Sequence, residues 1–126
     1  MKYKLIAKVN PLKREDPKKW YASPVNPGRL TVKDFARTIA SRSSALPRSD
    51  IEDVLDSFLE ELSVVLTTGM SVKLGEFGTM RLILQSGAAD THDEFDSSKI
   101  KGVKVAFTPG TELKNHINNI VFEEEK

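Results

Sequence analysis

The chain has 126 residues, of which 39% are hydrophobic and none is cysteine, so it fits one domain with a modest core and excludes disulfides and thiolate chemistry. Its apolar runs are too short for a signal peptide or a membrane-spanning helix, which predicts a cytoplasmic protein without membrane contact. The formal net charge of +1 is uneven, because residues 1–48 hold 12 Lys/Arg against three acids (+9) and residues 49–126 hold seven against 15 (−8). This split indicates either a polyanion-facing end or a solvated charged surface.

Residues 1–29 are predicted to form a basic β extension. Residues 2–9 alternate weakly between polar and apolar side chains, and residues 20–25 are typical of a second short strand. An Asn-Pro step at 10–11 ends the first strand, and the sequence NPG at 26–28 is a turn signal. The two strands either form a hairpin or add to the edge of another sheet.

A helical hairpin follows. Thr31 with Asp34 fits a capping box, and Ser49 with Glu52 fits a second one. Apolar residues then recur at the helical period for four turns, which predicts a long helix that ends at Gly69. This apolar stripe consists of Ile51, Val54, Leu55, Phe58, Leu59, Leu62, Val65 and Leu66. One short partner helix cannot cover so broad a stripe, so a sheet or a second subunit must.

After Gly69 the apolar residues recur with a period of two, which predicts strands. Residues 75–78 (GEFG) are typical of a turn between two strands, with glycines where the backbone requires a positive φ. The pattern disappears over residues 85–98 and returns as a third strand over residues 101–107. A last helix is predicted over residues 111–121.

Two short motifs behind the helical hairpin resemble the bacterial histone-like HU/IHF family. The first, residues 75–80 (GEFGTM), matches the turn between the first two strands of that family. The second, residues 107–110 (FTPG) with Leu113-Lys114, matches the entry to its last helix. The resemblance covers residues 30–120 and implies an α+β fold: an N-terminal helical hairpin, a three-stranded antiparallel sheet with an extended arm, and a C-terminal helix, in an intertwined homodimer.

The resemblance divides the chain into the β extension at 1–29, an HU/IHF-like domain at 30–122 with its arm at 85–101, and an acidic tail at 123–126. In the family, the arms enter the DNA minor groove, where an apolar wedge kinks the duplex, and Lys and Arg neutralise phosphates. The expected arm tip, residues 85–98, holds no Lys, Arg or Pro, and it carries the acids Asp90, Asp93, Glu94 and Asp96. Because phosphates repel such a tip, the wedge mechanism is not expected here.

The predicted DNA contacts combine the cations of the β extension with those that remain at the family's body and arm positions. They are Lys2, Lys4, Lys8, Lys13, Arg14, Lys18, Lys19, Arg81, Lys101, Lys104 and Lys114. Trp20 and Tyr21 are candidates for stacking on bases or sugars, although Trp20 is expected rather to pack on the core. The predicted dimer core consists of Phe58, Leu62, Phe77 and Phe107.

The sequence predicts a binding protein rather than an enzyme. It has no glycine-rich phosphate loop, nucleophile elbow or catalytic cysteine, so no cofactor or small-molecule substrate is expected. His92 lies among the tip acids, but their spacing matches no metal-binding loop, and no metal site is predicted. The predicted function is non-sequence-specific or shape-selective binding of double-stranded DNA by a homodimer in the nucleoid. The alternative is a dimerisation or protein-interaction module with little DNA affinity.

Overall fold

The structure, a computed structural model, describes residues 1–42 and 45–126, and the chain divides into two compact units. The first, which we call the N-terminal unit, contains residues 1–30 together with residues 117–126. The second, which we call the central unit, contains residues 31–116. The end of the chain therefore folds with its beginning, whereas the sequence predicted a division into consecutive segments.

The N-terminal unit is built on a three-stranded sheet. β1 (Lys2–Lys8) and β2 (Lys19–Pro24) are antiparallel and form a hairpin. β6 (Glu123–Glu124) lies parallel to β1 on its other side, so the strand order is β2-β1-β6. The Met1 ammonium donates a hydrogen bond of 2.7 Å to the Val121 carbonyl oxygen.

The segment predicted as a separate acidic tail, residues 123–126, thus supplies an edge strand. The Glu123 N–H donates to the Met1 carbonyl oxygen at 3.1 Å, and the Glu125 N–H donates to that of Tyr3 at 2.8 Å. This pairing joins the two ends of the chain. Pairing between such distant segments leaves no periodic pattern in the local sequence, which is why this strand was not predicted.

The first helix, α1 (Val32–Arg42), begins with the predicted capping box. The Asp34 N–H donates to Thr31 Oγ1 at 3.3 Å, and the Thr31 N–H donates to Asp34 Oδ2 at 2.9 Å. The hydrogen bonds from Thr31, first from its backbone and then from its hydroxyl, lower the pKa of the Asp34 carboxyl below its ordinary value of 3.8. They do so because they favour the charged form.

The second helix, α2 (Arg48–Thr67), begins without the predicted capping box. Its N-cap is Pro47, which has extended backbone and offers no side-chain cap. The helix therefore begins before Ser49, and Glu52 instead accepts a hydrogen bond of 2.9 Å from Arg48 Nη1. The prediction of a Ser49–Glu52 box is wrong because Ser49 is the second residue of the helix, whereas a capping box requires the serine at the N-cap.

The central unit also contains a second three-stranded sheet. β3 (Val72–Leu74), β4 (Gly78–Ser86) and β5 (Ile100–Pro109) pair antiparallel in the order β3-β4-β5. Gly75, in the turn between β3 and β4, has the predicted positive φ, at +55°. The last helix is α3 (Thr111–Asn118). The α+β class is confirmed, although β5 is longer and α3 is shorter than the sequence predicted.

The two family motifs contact each other at their glycines. The Gly110 N–H donates a hydrogen bond of 2.8 Å to the Phe77 carbonyl oxygen. A Cβ on Gly110 would overlap the backbone of Glu76, and a Cβ on Gly78 would overlap the ring of Phe107. Both positions therefore require glycine because another part of the chain approaches too closely for any side chain.

The hydrophobic core of the described residues is small. In that part of the chain, the buried hydrophobic side chains are Ala36, Ile51 and Leu66. Much of the α2 stripe is open to solvent, and Phe58 in its middle is 47% exposed. A single copy of the chain therefore leaves a large apolar surface in contact with water, a feature of interaction surfaces.

Candidate nucleic-acid interface

The register of the β1–β2 hairpin sorts its basic residues by face. Residues directly opposite each other share a face of a sheet, and successive residues of a strand alternate between faces. Lys8 lies opposite Lys19, and Lys4 lies opposite Ser23. Four exposed cations consequently occupy one side of the sheet, which we call the lysine face: Lys2, Lys4, Lys8 and Lys19.

Tyr21 belongs to the lysine face as well, since it lies opposite Ile6 in the same alternation. Lys8 Nζ is 5.8 Å from the centroid of the Tyr21 ring, which is within the range of a cation–π contact. The residue is still 48% exposed, so one side of the ring remains accessible. Of the two aromatic candidates for stacking, Tyr21 is the one that the structure brings together with the cations.

Trp20 lies on the other face of the sheet, opposite Ala7. That face is apolar: Tyr3 and Leu5 belong to it, and with Phe122 they line a groove there. Trp20 is 68% exposed, so the prediction that it packs on the core is wrong. Strand alternation separates it from Tyr21 although the two residues are neighbours in the sequence.

The loop between β1 and β2 carries the other predicted N-terminal contacts. Lys13, Arg14 and Lys18 are all exposed there. Glu15 and Asp16 belong to the same loop and offset part of its positive charge. The lysine face has no acid on β1 or β2, so its positive charge is less offset than that of the loop.

Acids at the C-terminal strand modify one end of the lysine face. β6 places Glu123 directly beside Lys2, a neighbour that the sequence did not predict. Its carboxylate reduces the positive potential at that end. Lys8 and Lys19 lie at the other end of the hairpin and form the cationic pair farthest along the strands from β6.

In the central unit, Arg81 and Lys104 lie on one face of the β4–β5 pair. The register sets Arg81 opposite Ala106 and Ile83 opposite Lys104, which gives the two cations the same orientation. Arg81 Nη1 donates a hydrogen bond of 3.4 Å to Thr108 Oγ1. This bond uses one of the five N–H donors of the guanidinium group.

The structure does not bring Lys101 and Lys114 together with that pair. Lys101 falls at an irregularity of the β4–β5 register, where the partner of Ser86 shifts to Ile100. Lys114 is exposed on α3. The predicted cations of the central unit are therefore one pair and two separate residues.

The arm tip is an acidic loop with hydrogen bonds at its base and at its short helix. The Gly87 N–H donates a hydrogen bond of 2.7 Å to the Lys99 carbonyl oxygen and closes the loop. Asp96 caps a short 3-10 helix, Ser97–Lys99, and accepts hydrogen bonds from the Ser98 hydroxyl and from its N–H. These two bonds, the hydroxyl's first, lower the pKa of the Asp96 carboxyl below its ordinary value of 3.8, so this group is charged at neutral pH.

The four predicted dimer-core residues all lie in the central unit, and none of them is buried within one copy. The rings of Phe77 and Phe107 pack against each other with their centroids 5.3 Å apart, yet both residues are exposed. Phe58 is exposed and Leu62 is half-buried. Val105 extends the exposed apolar surface along β5.

Two further observations concern the described residues alone. Among them, no three His, Asp or Glu side chains come together as metal ligands. None of their helices is both long enough and apolar enough to cross a membrane. At the arm tip, His92 Nδ1 lies 3.6 Å from Asp93 Oδ1, and both side chains are fully exposed.

A family model described as "HU domain fused to wHTH, Ig, or Glycine-rich motif", or HU-HIG, matches residues 1–124. The chain belongs to the HU-HIG family. The predicted membership of the HU/IHF-like group is therefore confirmed. The HU-HIG match includes the β1–β2 hairpin and β6, so the lysine face lies within the family domain rather than outside it.

Individual relatives of this HU-HIG chain are more distant. Integration host factor subunit beta from Shewanella sp. (strain W3-18-1) is 24% identical over 93 residues, which are 72% of this chain and 98% of that protein. The subunit beta from Halorhodospira halophila is 25% identical over 92 residues, 71% of this chain and 90% of that protein.

Two solved structures are similar in fold to this HU-HIG chain. A putative bacterial DNA binding protein from Bacteroides vulgatus has a TM-score of 0.65 at 15% identity, over 98% of this chain. The chain spans about half (47%) of that longer protein. An Anabaena HU–DNA cocrystal structure has a TM-score of 0.52 at 14% identity and covers 72% of this chain and all of that one.

Proposed function

We propose that this chain binds the phosphates of double-stranded DNA, without strong sequence specificity, as an organising protein of the nucleoid. The names of its integration host factor relatives and the DNA in the Anabaena HU structure support this ligand. The lysine ammonium is a compact point charge on a flexible stem, so a row of lysines on a sheet favours contacts with phosphate over readout of sequence. Membership of the HU-HIG family is consistent with an architectural role.

The lysine face is the observation that carries the proposal. Lys2, Lys4 and Lys8 lie on the same face of β1, with Ile6 between Lys4 and Lys8, and Lys19 lies beside Lys8 on β2. Residues two apart on a strand are about 7 Å apart, so the ammonium groups form a row along the sheet. Among the described residues, the ion pairs within 4.0 Å involve none of the four. A polyanion is the complementary partner of such a row.

The cations of the central unit are proposed as secondary phosphate contacts. Arg81 and Lys104 share a face of the β4–β5 pair, and Lys101 and Lys114 add single contacts. The acidic arm tip opposes insertion into the minor groove, since its carboxylates approach phosphates of the same sign. Most of the binding free energy is therefore assigned to the N-terminal unit rather than to the arm.

We propose that the binding species is a homodimer. Phe58, Phe77 and Phe107 are exposed in one copy although they lie next to apolar neighbours. Exposed apolar surface of this extent is typical of obligate interfaces, which resemble a domain core divided between two subunits. The predicted dimer core of these residues with Leu62 is retained as part of the proposal.

No catalytic residue, cofactor, metal ion, small-molecule substrate or membrane forms part of this function. Fixed cations on a sheet are sufficient for binding that depends on phosphate charge. The second candidate function, a protein-interaction module with little DNA affinity, is favoured by one observation, the acidic arm tip with its charged Asp96.

Fluorescence anisotropy with a labelled mixed-sequence duplex tests the proposal. Titrations at about 50 mM and about 200 mM salt give the slope of log K against log salt concentration. Replacing Lys2, Lys4, Lys8 and Lys19 with alanine together is expected to reduce this slope by about one unit for each phosphate that is no longer neutralised, or about four for each subunit whose lysine face contacts the duplex.

The chain offers a matched control with the same change of charge. Lys33, Lys73, Lys99 and Lys126 are the four lysines outside the predicted contacts, and their joint replacement with alanine should leave most of the slope in place. Equal slopes in the lysine-face variant and the wild type would overturn the assignment of the face. Absence of wild-type binding at about 50 mM salt would support the second candidate function.

A further inference from the structure

A groove lies where the lysine face meets the β1–β2 loop. It has a volume of about 420 Å³, within the size range of small-ligand sites. Lys8, Lys19 and Tyr21 line it from the sheet, and Pro11 and Pro17 line it from the loop. The groove thus combines two cations, an aromatic ring and two proline rings at one end of the N-terminal unit.

The two lysines of this groove are directly opposed. Like charges that face each other across two strands destabilise a sheet. Among the described residues, neither Lys8 nor Lys19 forms an ion pair within 4.0 Å, although Asp16 also lines the groove. An anion placed between the two ammonium groups would relieve their repulsion. The pairing is therefore an observation in favour of a phosphate at this position, independent of the groove's shape.

The Tyr21 ring provides the second half of the site. Lys8 Nζ lies over the ring at 5.8 Å from its centroid, and Tyr21, which lines the groove, is 48% exposed. Exposed aromatic rings beside cations are the platforms on which proteins stack the bases of single strands. The rings of Pro11 and Pro17 add flat apolar surface around it.

An unpaired nucleotide of a nucleic-acid strand fits both the lysine pair and the Tyr21 ring, whereas an intact duplex fits the lysine pair alone. A duplex offers phosphates to Lys8 and Lys19, but its bases are stacked on each other and present no free face to Tyr21. A single strand offers its phosphates and its base faces together. The chemistry of the groove therefore differs from that of the rest of the lysine face, which contacts charge alone.

We propose that this groove binds an unpaired nucleotide of a single-stranded nucleic acid, with its phosphate between Lys8 and Lys19 and its base on Tyr21. The proposal deepens the function assigned to the lysine face and rests on it only for the phosphate contacts. It implies that the chain distinguishes unpaired segments from intact duplex.

The test compares three labelled probes in anisotropy titrations of the full chain: a mixed-sequence DNA single strand, the RNA of the same sequence, and the matching DNA duplex. Tyr21→Ala is expected to weaken binding of the DNA single strand about tenfold and to change duplex binding less than about twofold, because stacking contributes to the single strand alone. Tyr21→Phe keeps the ring and should retain single-strand binding.

Trp20→Ala is the matched control, since Trp20 is the neighbouring aromatic residue on the opposite face. It should leave binding of all three probes unchanged. Far-ultraviolet circular dichroism and the fluorescence of Trp20 establish that Tyr21→Ala keeps the hairpin folded. A tenfold effect of Tyr21→Ala on the RNA strand as well would support a site that reads the base and phosphate without reading the sugar.

The failures of the two proposals are distinguishable. Equal effects of Tyr21→Ala on single strand and duplex, or no effect on either, would overturn the nucleotide site, even where wild-type duplex binding is intact. A wild-type chain that binds the single strand through Tyr21 but does not bind the duplex would overturn the proposed function and leave the nucleotide site standing.

Discussion

The two sheets of this chain are alike in plan and opposite in charge at their ends. Each has three strands, although β6 runs parallel to β1 whereas the central sheet is antiparallel throughout. In each, the alternation of side chains places cations on one face, together with Ile6 or Ile83, and apolar residues on the other. The loop that joins β1 and β2 is rich in Lys and Arg, with Lys13, Arg14 and Lys18. The loop that joins β4 and β5 carries acids, including Asp90 and Asp93.

The difference teaches that a three-stranded sheet does not by itself fix where positive charge is concentrated. Four lysines share one face of the N-terminal sheet, whereas Arg81 and Lys104 are the pair on the face of β4 and β5. The central sheet is also constrained by its glycine contacts at Gly78 and Gly110, which fix the backbone closely. A charged side chain can therefore be accommodated in the loops at the ends of the hairpins but not at these two glycine positions.

The largest expected effect concerns the close approach that shapes the central sheet. Gly110→Ala should lower the free energy of unfolding by about 3 kcal/mol, because the new Cβ meets the backbone of Glu76, which cannot move aside as a side chain does. Gly102→Ala is the control, since its nearest neighbour is the flexible end of Gln85, and it should change stability by less than about 1 kcal/mol. Denaturant unfolding measures both, and equal decreases in stability would contradict the proposed constraint.

A second prediction asks whether the apolar face of the central unit is an interface. Phe58→Asp should weaken dimerisation at least about 100-fold, because an unpaired charge would be buried between subunits. Light scattering over a concentration series measures the shift towards monomer. Leu12→Asp introduces the same charge at a residue that is 92% exposed, and it should leave the dimer intact. A monomeric wild type, or a dimer unaffected by Phe58→Asp, would contradict the proposed dimer core.

A third prediction sharpens the contrast between the two loops. Replacing Asp90 and Asp93 with asparagine and Glu94 with glutamine should tighten duplex binding about threefold at about 50 mM salt, and less at about 200 mM, because the repulsion removed is screened by salt. Asp96 is left in place because it caps the short helix at the tip. Anisotropy titrations at the two salt concentrations measure the change.

The control for the arm tip removes equal charge from α2 through Asp53→Asn, Asp56→Asn and Glu60→Gln. This variant should change duplex affinity less than the tip variant does. If neutralising the tip weakens binding instead, the acids make favourable contacts with the complex, and the assignment of binding to the N-terminal sheet would be contradicted.

A fourth prediction concerns the capping box at the start of α1. Thr31→Ala should destabilise the chain by about 1 kcal/mol at neutral pH, because the helix loses its capping hydroxyl. Thr38→Ala removes a hydroxyl that donates to a carbonyl oxygen within the helix and should have a smaller effect. Thermal unfolding followed by circular dichroism measures the difference between the two variants.

The same capping box makes a prediction about pH. The folded-state pKa of Asp34 is lowered, so its carboxylate stabilises the folded chain above 3.8 and loses that contribution as pH falls through the folded pKa. The stability difference between wild type and Thr31→Ala should therefore shrink as pH falls below 3.8. A difference that stays constant between neutral pH and acid would contradict the role of the charged carboxylate.

Local signals in the sequence predicted much of this fold. The Thr31–Asp34 box, the period of α2 and the turn at Gly75 each depend on residues that lie close to one another along the chain. The two motifs around Phe77 and Phe107 were recognisable for the same reason. The motifs include glycines that can be read from the sequence, whereas the close contacts that require those glycines are seen only in the structure.

The candidate site was predicted as a set of residues but not as a surface. The cations of the β extension could be named from the sequence, whereas their division between a face and a loop depends on the register of β1 and β2. A shift of one residue in that register would move Trp20 to the lysine face and Tyr21 to the opposite face. The sequence therefore grouped two aromatic residues that the sheet separates.

The sequence by itself determined the class of the fold, the order of its central helices and strands, and the opposite charges of its two halves, because each is set by residues close together along the chain. Only the tertiary structure decided that Glu123 pairs beside Lys2, that Lys8 opposes Lys19 next to Tyr21, and which apolar residues one copy leaves exposed. Those features depend on strand register and on pairing between distant segments, where many alternatives have similar local propensities and the packing of the whole unit selects one.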